Sequence, residues 1–432
     1  MVRRLLIVVG VCAWLVAAPL SSGYAYDYPF ANRYIATVLG TPEEFAAKLP
    51  DSVPVQQDAL VMFPQRQVPD VLWNLAELRY SYVLQEHEAP LMFLIAGTGA
   101  SYRSAKMRLM QKVFYQQGYS VVSLTSPTHP NFIVAASCSG VPGVLGDDAR
   151  DLYRVMDKIR NRLAQKAHFS RYYITGYSLG AAQAAFVAKL DEQEHKFDFS
   201  RVLMINPPVN LYNSVQILDA MLDDNIPGGL DNFNQFYTEV TDAFTKVYKN
   251  GDNVEFNDKF LYTAYKYYRA ADVNIDRVKA VIGLDFRMSS GNMAFVSDVL
   301  THAGYVVPVN AELGRNAHVT EYAKVLFRLT FLDYFNDILV PYFQQQKPEI
   351  TVADLIANTS LKHIDSYLRN SDKLGMIGNE DDFILRPGEI DYLKQVFGER
   401  ATIFPHGGHC GNMGYPDNVA AMVNFFKAAD KE

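Results

Sequence analysis

The distribution of apolar and polar residues divides much of the chain into short strands and amphipathic helices. Between residues 78 and 84, apolar side chains recur at every second position, which indicates a strand with one buried face. Residues 91–95 are a continuous apolar run, typical of a strand that is covered on both faces. Further upstream, Thr41, Pro42 and two glutamates form a pattern that predicts the start of a helix.

Helices and strands alternate in the next part of the chain. The hydrophobic periodicity predicts helices over residues 102–117, 147–167 and 179–190, and strands over residues 119–124, 172–175 and 202–205. This βαβ alternation predicts a parallel sheet with helices on both faces, because consecutive parallel strands need a crossover connection.

The alternation stops between about residues 211 and 370 and is replaced by helical periodicity, which predicts an inserted helical unit. It resumes with a strand at 374–377, a helix at 389–397, a strand at 401–404 and a last helix at 417–428. We therefore divide the chain into an N-terminal segment (26–77), a first core part (78–211), a helical cap insertion (212–370) and a second core part (371–432), all preceded by residues 1–25.

The first 25 residues have the pattern of a secretory signal peptide. Arg3 and Arg4 precede an apolar run over residues 5–20, and small residues lead to a predicted cleavage site after Ala25. The run is shorter than the ~20 residues that a helix needs to cross a bilayer, which disfavours a membrane anchor. We therefore expect a secreted or periplasmic protein with no integral membrane segment after cleavage.

Composition and charge narrow the class of partner. The chain has 432 residues, of which 49% are hydrophobic and 20% are charged, as expected for a globular protein with a large core. Its formal net charge is -7, and removal of Arg3 and Arg4 takes this to -9. Such a charge disfavours nucleic acid and anionic membrane surfaces as partners.

Two cysteines, Cys138 and Cys410, would remain in the mature chain, in an oxidising compartment. Cys138 follows the strand at 119–124 and Cys410 follows the strand at 401–404. Because loops after parallel strands leave the sheet by the same edge, the two are predicted either to form a disulfide or to remain two separate buried thiols.

No metal or other cofactor is expected. The chain contains no CxxC motif, and His406 and His409, although spaced like metal ligands, have no further ligand cluster near them in the sequence.

The strongest chemical signal is the pentapeptide Gly176-Tyr177-Ser178-Leu179-Gly180. It lies directly between the predicted strand at 172–175 and the predicted helix at 179–190. A serine on such a sharp turn has its hydroxyl exposed, and glycines two residues to either side allow neighbouring backbone to approach closely. Ser178 is therefore a candidate nucleophile.

A serine nucleophile needs a base and an acid that orients the base, and both candidates occur downstream. Asp381 and Asp382 follow the strand at 374–377, and His409 follows the strand at 401–404, so both sites are predicted at the same edge of the sheet. His406 is a rival base, but the two glycines before His409 give its loop more freedom to aim the ring.

These residues resemble the α/β-hydrolase superfamily, whose catalytic triad runs in the order Ser, Asp, His. The resemblance covers about residues 78–210 and 371–430. It implies a mostly parallel α/β-hydrolase sheet flanked by helices, with a large helical cap insertion. It also implies an acid after the strand that follows the insertion; the spacing from Gly378 favours Asp381, with Asp382 as the alternative acid.

The same resemblance implies an oxyanion hole built from two backbone N–H groups. One is that of Leu179, directly after the serine, and the other is that of Thr98, in the loop Ala96-Gly97-Thr98-Gly99. A phosphate-binding role for this loop is disfavoured, because it lacks both the full GxGxxG spacing and a P-loop lysine.

The sequence thus predicts a serine hydrolase that cleaves a small-molecule or acyl-chain ester through an acyl-enzyme. The insertion is expected to cover the site and to favour apolar or aromatic groups. An amidase or peptidase with the same triad, and a non-catalytic binding protein on this fold, are the alternatives. The pattern is similar to uncharacterised secreted or periplasmic bacterial hydrolases with a large helical cap.

Overall fold

A computed structural model of the protein describes residues 26–250 and 273–428. The predicted signal peptide at 1–25 lies outside the described residues. Within the described ranges, no helix combines the length and the apolar character that crossing a membrane requires.

The centre of the molecule is an eight-stranded sheet in the order β1-β2-β4-β3-β5-β6-β7-β8. The first two pairings, β1 with β2 and β2 with β4, are antiparallel, and the remaining five are parallel. The strands are β1 Gln56–Leu60, β2 Leu78–Val83, β3 Ala89–Ile95, β4 Ser120–Leu124, β5 Phe169–Tyr177, β6 Arg201–Ile205, β7 Leu374–Asn379 and β8 Ala401–Phe404.

Helices surround the sheet and form the insertion. Those outside the insertion are α1 Arg33–Leu39, α2 Ala105–Gln116, α3 Pro130–Ala135, α4 Leu145–Leu163 and α5 Leu179–Glu194, followed after β7 by α14 Glu389–Phe397 and α15 Pro416–Lys427. Those between β6 and β7 are α6 Leu211–Asp223, α7 Phe233–Asn250, α8 Ile275–Thr301, α9 Thr320–Leu326, α10 Phe331–Tyr334, α11 Val340–Gln346, α12 Val352–Ala357 and α13 Asp365–Asn370. A π-helical turn, Phe335–Leu339, joins α10 to α11.

Strand β3 shows why the centre of the sheet is apolar on both faces. Leu91, Phe93 and Ile95 pack in the hydrophobic cluster that contains α4 and α5, whereas Met92 and Leu94 pack with α2 and α15 on the other face. Successive side chains of a strand point to opposite faces, so a strand between two helical layers must be apolar at every position. The prediction of a strand covered on both faces is confirmed.

The insertion after β6 is helical, as predicted, and packs on the core. Met293 and Val296 of α8 share a hydrophobic cluster with Ile133 and Val134 of α3. Burial of each such side chain contributes roughly 1.5–3 kcal/mol. These contacts place α8 above the carboxyl ends of the parallel strands, the edge at which the predicted chemical residues lie.

Two features near the N-terminus differ from the prediction. The helix predicted from Thr41 is only a 3₁₀ turn, Glu43–Phe45, because the backbone becomes extended at Ala46. The amide of Ala47 then bonds to the carbonyl of Gly414, so this segment pairs with a distant loop and does not continue as a helix. Strand β1 was not predicted, because its polar sequence lies at the sheet edge and only Leu60 is buried.

Candidate active site

Ser178 occupies the turn between β5 and α5 in a strained backbone conformation. Its φ of 56° and ψ of -128° are unfavourable for a residue with a side chain, at a cost of about 1–3 kcal/mol. The flanking glycines are required by packing: a Cβ on Gly176 would lie 2.3 Å from the carbonyl oxygen of Gly180, and one on Gly180 would lie 2.3 Å from that of Ile95. The turn therefore requires glycine at both positions, because at each of them another backbone segment lies too close to leave room for a side chain.

Ser178, His409 and Asp382 form a continuous chain of hydrogen bonds. The Nε2 atom of His409 lies 2.9 Å from Oγ of Ser178, and its Nδ1 atom lies 3.0 Å from Oδ2 and 3.1 Å from Oδ1 of Asp382. All three residues are buried, with exposed fractions of 8%, 6% and 5%. The serine hydroxyl, the imidazole and the carboxylate are thus aligned for proton transfer away from the serine.

Of the two candidate acids, the alternative Asp382, and not the preferred Asp381, lies beside His409. The Oδ1 atom of Asp381 accepts a hydrogen bond from the backbone amide of Gly408. Asp381 therefore contacts the backbone of the histidine loop and not the imidazole ring. Neighbouring residues in the turn after β7 point their side chains in different directions, so only one of the two carboxylates reaches the imidazole. Burial raises the pKa of Asp381, and the Gly408 and Gly407 amides oppose this shift.

Asp382 is itself oriented by two donors. The side-chain amide of Asn206 donates to its Oδ2 atom at 2.8 Å, and the backbone amide of Ile384 donates to Oδ1 at 3.2 Å. Asn206 directly follows β6 and has a positive φ of 48°. No motif singles out this residue in the sequence, and its position at the carboxyl end of a parallel strand was the available signal.

The ionisation of His409 is set by opposing effects. Burial lowers the pKa of its imidazole, and the adjacent Asp382 carboxylate and Cys410 thiol raise it; the net pKa lies above the ordinary value of 6.5. A carboxylate in this position favours the imidazolium form of His409.

The predicted oxyanion residues line the same cavity as Ser178 and His409. The loop that carries Thr98 approaches the elbow closely, because a Cβ on Gly97 would lie 3.1 Å from Cβ of Ser178. The neighbouring amide of Gly99 donates to Oγ1 of Thr128 at 2.9 Å, which fixes the loop. Thr98 and Leu179 thus both lie beside the serine, and their role as an oxyanion hole stays a prediction.

Two connected cavities lie at the elbow. The first is narrow, about 10 Å³, and contains Ser178 and His409 on its wall. The second, of about 50 Å³, shares Thr98 and Leu179 with the first and extends beneath the insertion. Its remaining walls are mainly apolar and aromatic: Leu211, Tyr212, Val215, Met293, Phe331, Tyr334, Phe335 and Leu339, with Thr128, Pro142, Gly143 and Thr359.

His406, the rival base, does not reach the serine. Its Nε2 atom lies 3.0 Å from the carbonyl oxygen of Tyr28, so its ring is engaged by the N-terminal segment. Among the described residues, no group of three or more histidine, cysteine, aspartate or glutamate side chains is arranged to hold a metal ion.

Of the two alternatives for Cys138 and Cys410, the disulfide does not form, because both cysteines are free. Cys410 is buried beside the imidazole, with its sulfur 3.9 Å from Nε2 of His409. Cys138 is exposed and its sulfur is contacted by Arg154 of α4. Cys138 follows α3, and its backbone amide donates to Oδ2 of Asp151 of α4 at 2.9 Å, so it lies beside α4.

Comparison with known proteins yields structural similarity only. No protein-family model matches the chain, and no curated protein matches it. Similar solved structures include a proposed hydrolase from Legionella pneumophila, with 13% identity over 93% of this chain and 96% of that chain and a TM-score of 0.43. One of two fungal esterases from Rhizomucor miehei has 12% identity over 89% and 86%, with a TM-score of 0.41. An esterase from Pyrococcus furiosus has 10% identity over 88% and 99%, with a TM-score of 0.39.

The chain's own topology identifies its fold. The central strands are parallel, the serine turn follows β5 directly, and the residues that meet there occur in the order Ser, Asp, His. A helical insertion separates β6 from β7 and covers the edge where these residues meet. The protein therefore has the α/β-hydrolase fold, with a large helical insertion between the sixth and seventh strands.

Proposed function

We propose that the protein is a serine hydrolase that cleaves carboxylic esters. The observation that carries the proposal is the buried chain from Ser178 through His409 to Asp382, which opens onto a cavity lined by Thr98 and Leu179. A larger groove, of about 690 Å³, lies between α4, α5 and the insertion and contains none of these three residues. The candidate active site is therefore identified by the side chains that meet there and not by the size of its cavity.

The first half-reaction forms an acyl-enzyme. As Oγ of Ser178 attacks the ester carbonyl carbon, Nε2 of His409 takes the hydroxyl proton, and Asp382 stabilises the resulting imidazolium. The negative charge that develops on the carbonyl oxygen is stabilised by the backbone N–H groups of Thr98 and Leu179. His409 then returns its proton to the departing alcohol oxygen, and the carbon–oxygen bond of the ester breaks.

The second half-reaction releases the acid. A water molecule occupies the place of the alcohol, His409 removes one of its protons, and the hydroxide oxygen attacks the acyl carbon. The bond to Oγ of Ser178 breaks as His409 returns the proton to the serine. Each proton that leaves an attacking oxygen is thus returned to a leaving oxygen, and no cofactor enters the balance.

The two cavities suggest where each half of the ester binds. The alcohol must lie next to His409, because it receives a proton from Nε2, and His409 lines only the first cavity. The acyl group then extends past Thr98 and Leu179 into the second cavity. Because the walls of that cavity are mainly apolar, we propose an apolar or aromatic acyl group and not a sugar or a charged group.

Labelling by a fluorophosphonate probe tests the proposal. The intact protein should be labelled at Ser178 and should hydrolyse a p-nitrophenyl ester, whereas Ser178→Ala should lose both properties and remain folded. A properly folded protein that neither takes the label nor turns over the ester would be a binding protein on this fold. Turnover of an aminoacyl p-nitroanilide in preference to the ester would favour an amidase or peptidase.

We further propose that the protein acts outside the cytoplasm, after removal of residues 1–25. The support is the sequence pattern of a charged start, an apolar run and small residues before Ala25. N-terminal sequencing of protein from the periplasm or the medium should give Tyr26 as the first residue. Uncleaved protein retained in the cytoplasm would contradict this proposal and leave the proposed chemistry unaffected.

A further inference from the structure

The N-terminal strap, defined here as residues 26–41, lies directly against the loop that carries His409. The hydroxyl of Tyr26 donates to the carbonyl of His406 at 2.9 Å and accepts from the side-chain amide of Asn412 at 2.9 Å. Its contacts therefore bracket His409 on both sides in the sequence. Neither of these two contacts involves the imidazole of His409. The strap therefore contacts the loop around His409 and not its ring.

Thr37 makes the contact closest to the chemistry. The backbone amide of His409 donates to Oγ1 of Thr37 at 2.8 Å, and this hydroxyl donates to the carbonyl of Arg33 at 2.8 Å. A hydroxyl has one hydrogen, and here it is committed to the helix carbonyl. Its lone pairs are thus left to accept from His409, and the backbone of this residue is fixed from outside the sheet.

The histidine loop depends on such support because its own sequence allows many conformations. Gly408 precedes His409 with a φ of +59°, and Cys410 follows it with a φ of 62°. The strap fits this loop without intervening side chains: a Cβ on Gly408 would lie 2.1 Å from the carbonyl oxygen of Arg33, and one on Gly411 would lie 2.2 Å from a carbonyl oxygen of α1.

The strap is itself firmly held. Tyr28, Phe30, Ile35, Ala36 and Leu39 form a buried hydrophobic cluster. The neighbouring Tyr34 and Val38 pack against residues of α8 and of the turn that carries Asp382. A rigid strap provides a fixed point for Thr37, which a frayed N-terminal segment would not.

We propose that Thr37 is a positioning residue, through which the N-terminal strap holds the backbone of His409 so that its ring meets Ser178 and Asp382 together. This inference rests on the proposed function. Thr37 lines neither cavity at the elbow, so its effect should fall on the chemical steps and not on substrate binding. The positioning of His409 depends on the hydroxyl of Thr37 and not on the volume of its side chain.

The test compares Thr37→Val, which removes the hydroxyl at nearly constant volume, with Thr37→Ser, which retains it. Thr238→Val is the matched control, because the Thr238 hydroxyl donates to the carbonyl four residues earlier at 2.8 Å, as that of Thr37 does, but lies on exposed α7 away from the loop. Thr37→Val should lower kcat for a p-nitrophenyl ester by about tenfold with KM unchanged, since a misplaced base slows chemistry. Thr37→Ser should keep kcat within about twofold of the native value, because its hydroxyl remains. Thr238→Val should do the same, because Thr238 does not contact the histidine loop.

The rate of fluorophosphonate labelling separates the two proposals. Slow but complete labelling of Thr37→Val, beside rapid labelling of the native protein, supports the positioning role. Equal labelling rates and equal kcat for native protein and Thr37→Val would overturn it, as would a Thr37→Ser variant as slow as Thr37→Val. Native protein that takes no label would instead overturn the proposed function. If Thr37→Val does not fold, Thr37→Ala replaces it in the same comparison.

Discussion

Asn206 donates a hydrogen bond at 2.8 Å to the carboxylate of Asp382, on the oxygen that also lies 3.0 Å from Nδ1 of His409. Asn206 and Asp382 follow the carboxyl ends of the adjacent parallel strands β6 and β7, and the two residues lie 176 positions apart in the sequence. The long helical insertion between them therefore leaves the acid and its supporting amide side by side.

The first prediction concerns this contact. Asn206→Ala should lower kcat for ester hydrolysis by about tenfold with little change in KM, because Asp382 loses a donor that fixes its orientation. Asn225→Ala is a suitable control, since its side chain only donates to a helix carbonyl at 3.1 Å and lies outside both elbow cavities. A native kcat in Asn206→Ala would show that Asp382 needs no such support.

The second prediction separates the two adjacent aspartates. Asp382→Asn should lower kcat/KM by about 10³- to 10⁴-fold, because an amide neither stabilises the imidazolium nor holds the correct tautomer. Asp381→Asn should stay within about tenfold of the native value, since its amide oxygen can still accept from the Gly408 backbone N–H. Steady-state kinetics on one p-nitrophenyl ester measure both. Equal losses would contradict the assignment of the acid to Asp382.

The two adjacent aspartates show what the sequence did and did not determine. The apolar run of β7 placed the turn at the correct sheet edge, and the order of Ser178, an aspartate and His409 followed from the chain alone. Which of two neighbouring carboxylates reaches the imidazole depends on side-chain direction in a turn, and the spacing from Gly378 does not encode it. Hydrogen bonds from Asn206 and from the backbone amide of Ile384 hold the carboxylate of Asp382 toward the imidazole.

The same distinction applies to the fold. Strands with continuous apolar runs and helices with a clear periodicity were predictable because burial on one or both faces leaves a local pattern. The polar edge strand β1 and the short helices α1 and α3 leave no such pattern. The contact between Thr37 and His409 joins residues 372 positions apart, so no local pattern predicts it.

The third prediction is a pH dependence. Hydrolysis needs neutral His409, and Asp382 raises the pKa of this imidazole above 6.5, so kcat/KM should fall as the pH drops through that raised value. In Asp382→Asn the carboxylate is gone while burial and Cys410 remain, so the pKa of His409 falls relative to the native protein and the midpoint moves to lower pH. Profiles of kcat/KM against pH for both proteins test this. A midpoint that stays unchanged in the variant would show that Asp382 does not set the ionisation of His409.

The fourth prediction concerns the stability of the serine turn. Gly180→Ala would place a methyl group 2.3 Å from the carbonyl oxygen of Ile95, and backbone cannot yield as a side chain can. We expect a loss of at least about 1–3 kcal/mol in the free energy of unfolding, measured by urea denaturation. Gly314→Ala is the control, because nothing lies within 4 Å of the added carbon. Equal stabilities of the two variants would mean that the turn is not closely packed.

The fifth prediction tests the second cavity as the acyl site. Met293 lies on α8, is 3% exposed and lines this cavity. Met293→Ala should enlarge the cavity and raise the ratio of kcat/KM for long-chain over short-chain p-nitrophenyl esters, at a cost of about 2–5 kcal/mol in stability. The control is Leu284→Ala, on the same helix and 2% exposed, which packs in a different cluster with Leu222 and Phe236 and lines neither cavity. It should lose comparable stability without a change in chain-length ratio. If both variants shift the ratio alike, the shift reflects a loosened insertion, and if neither does, the acyl group binds elsewhere.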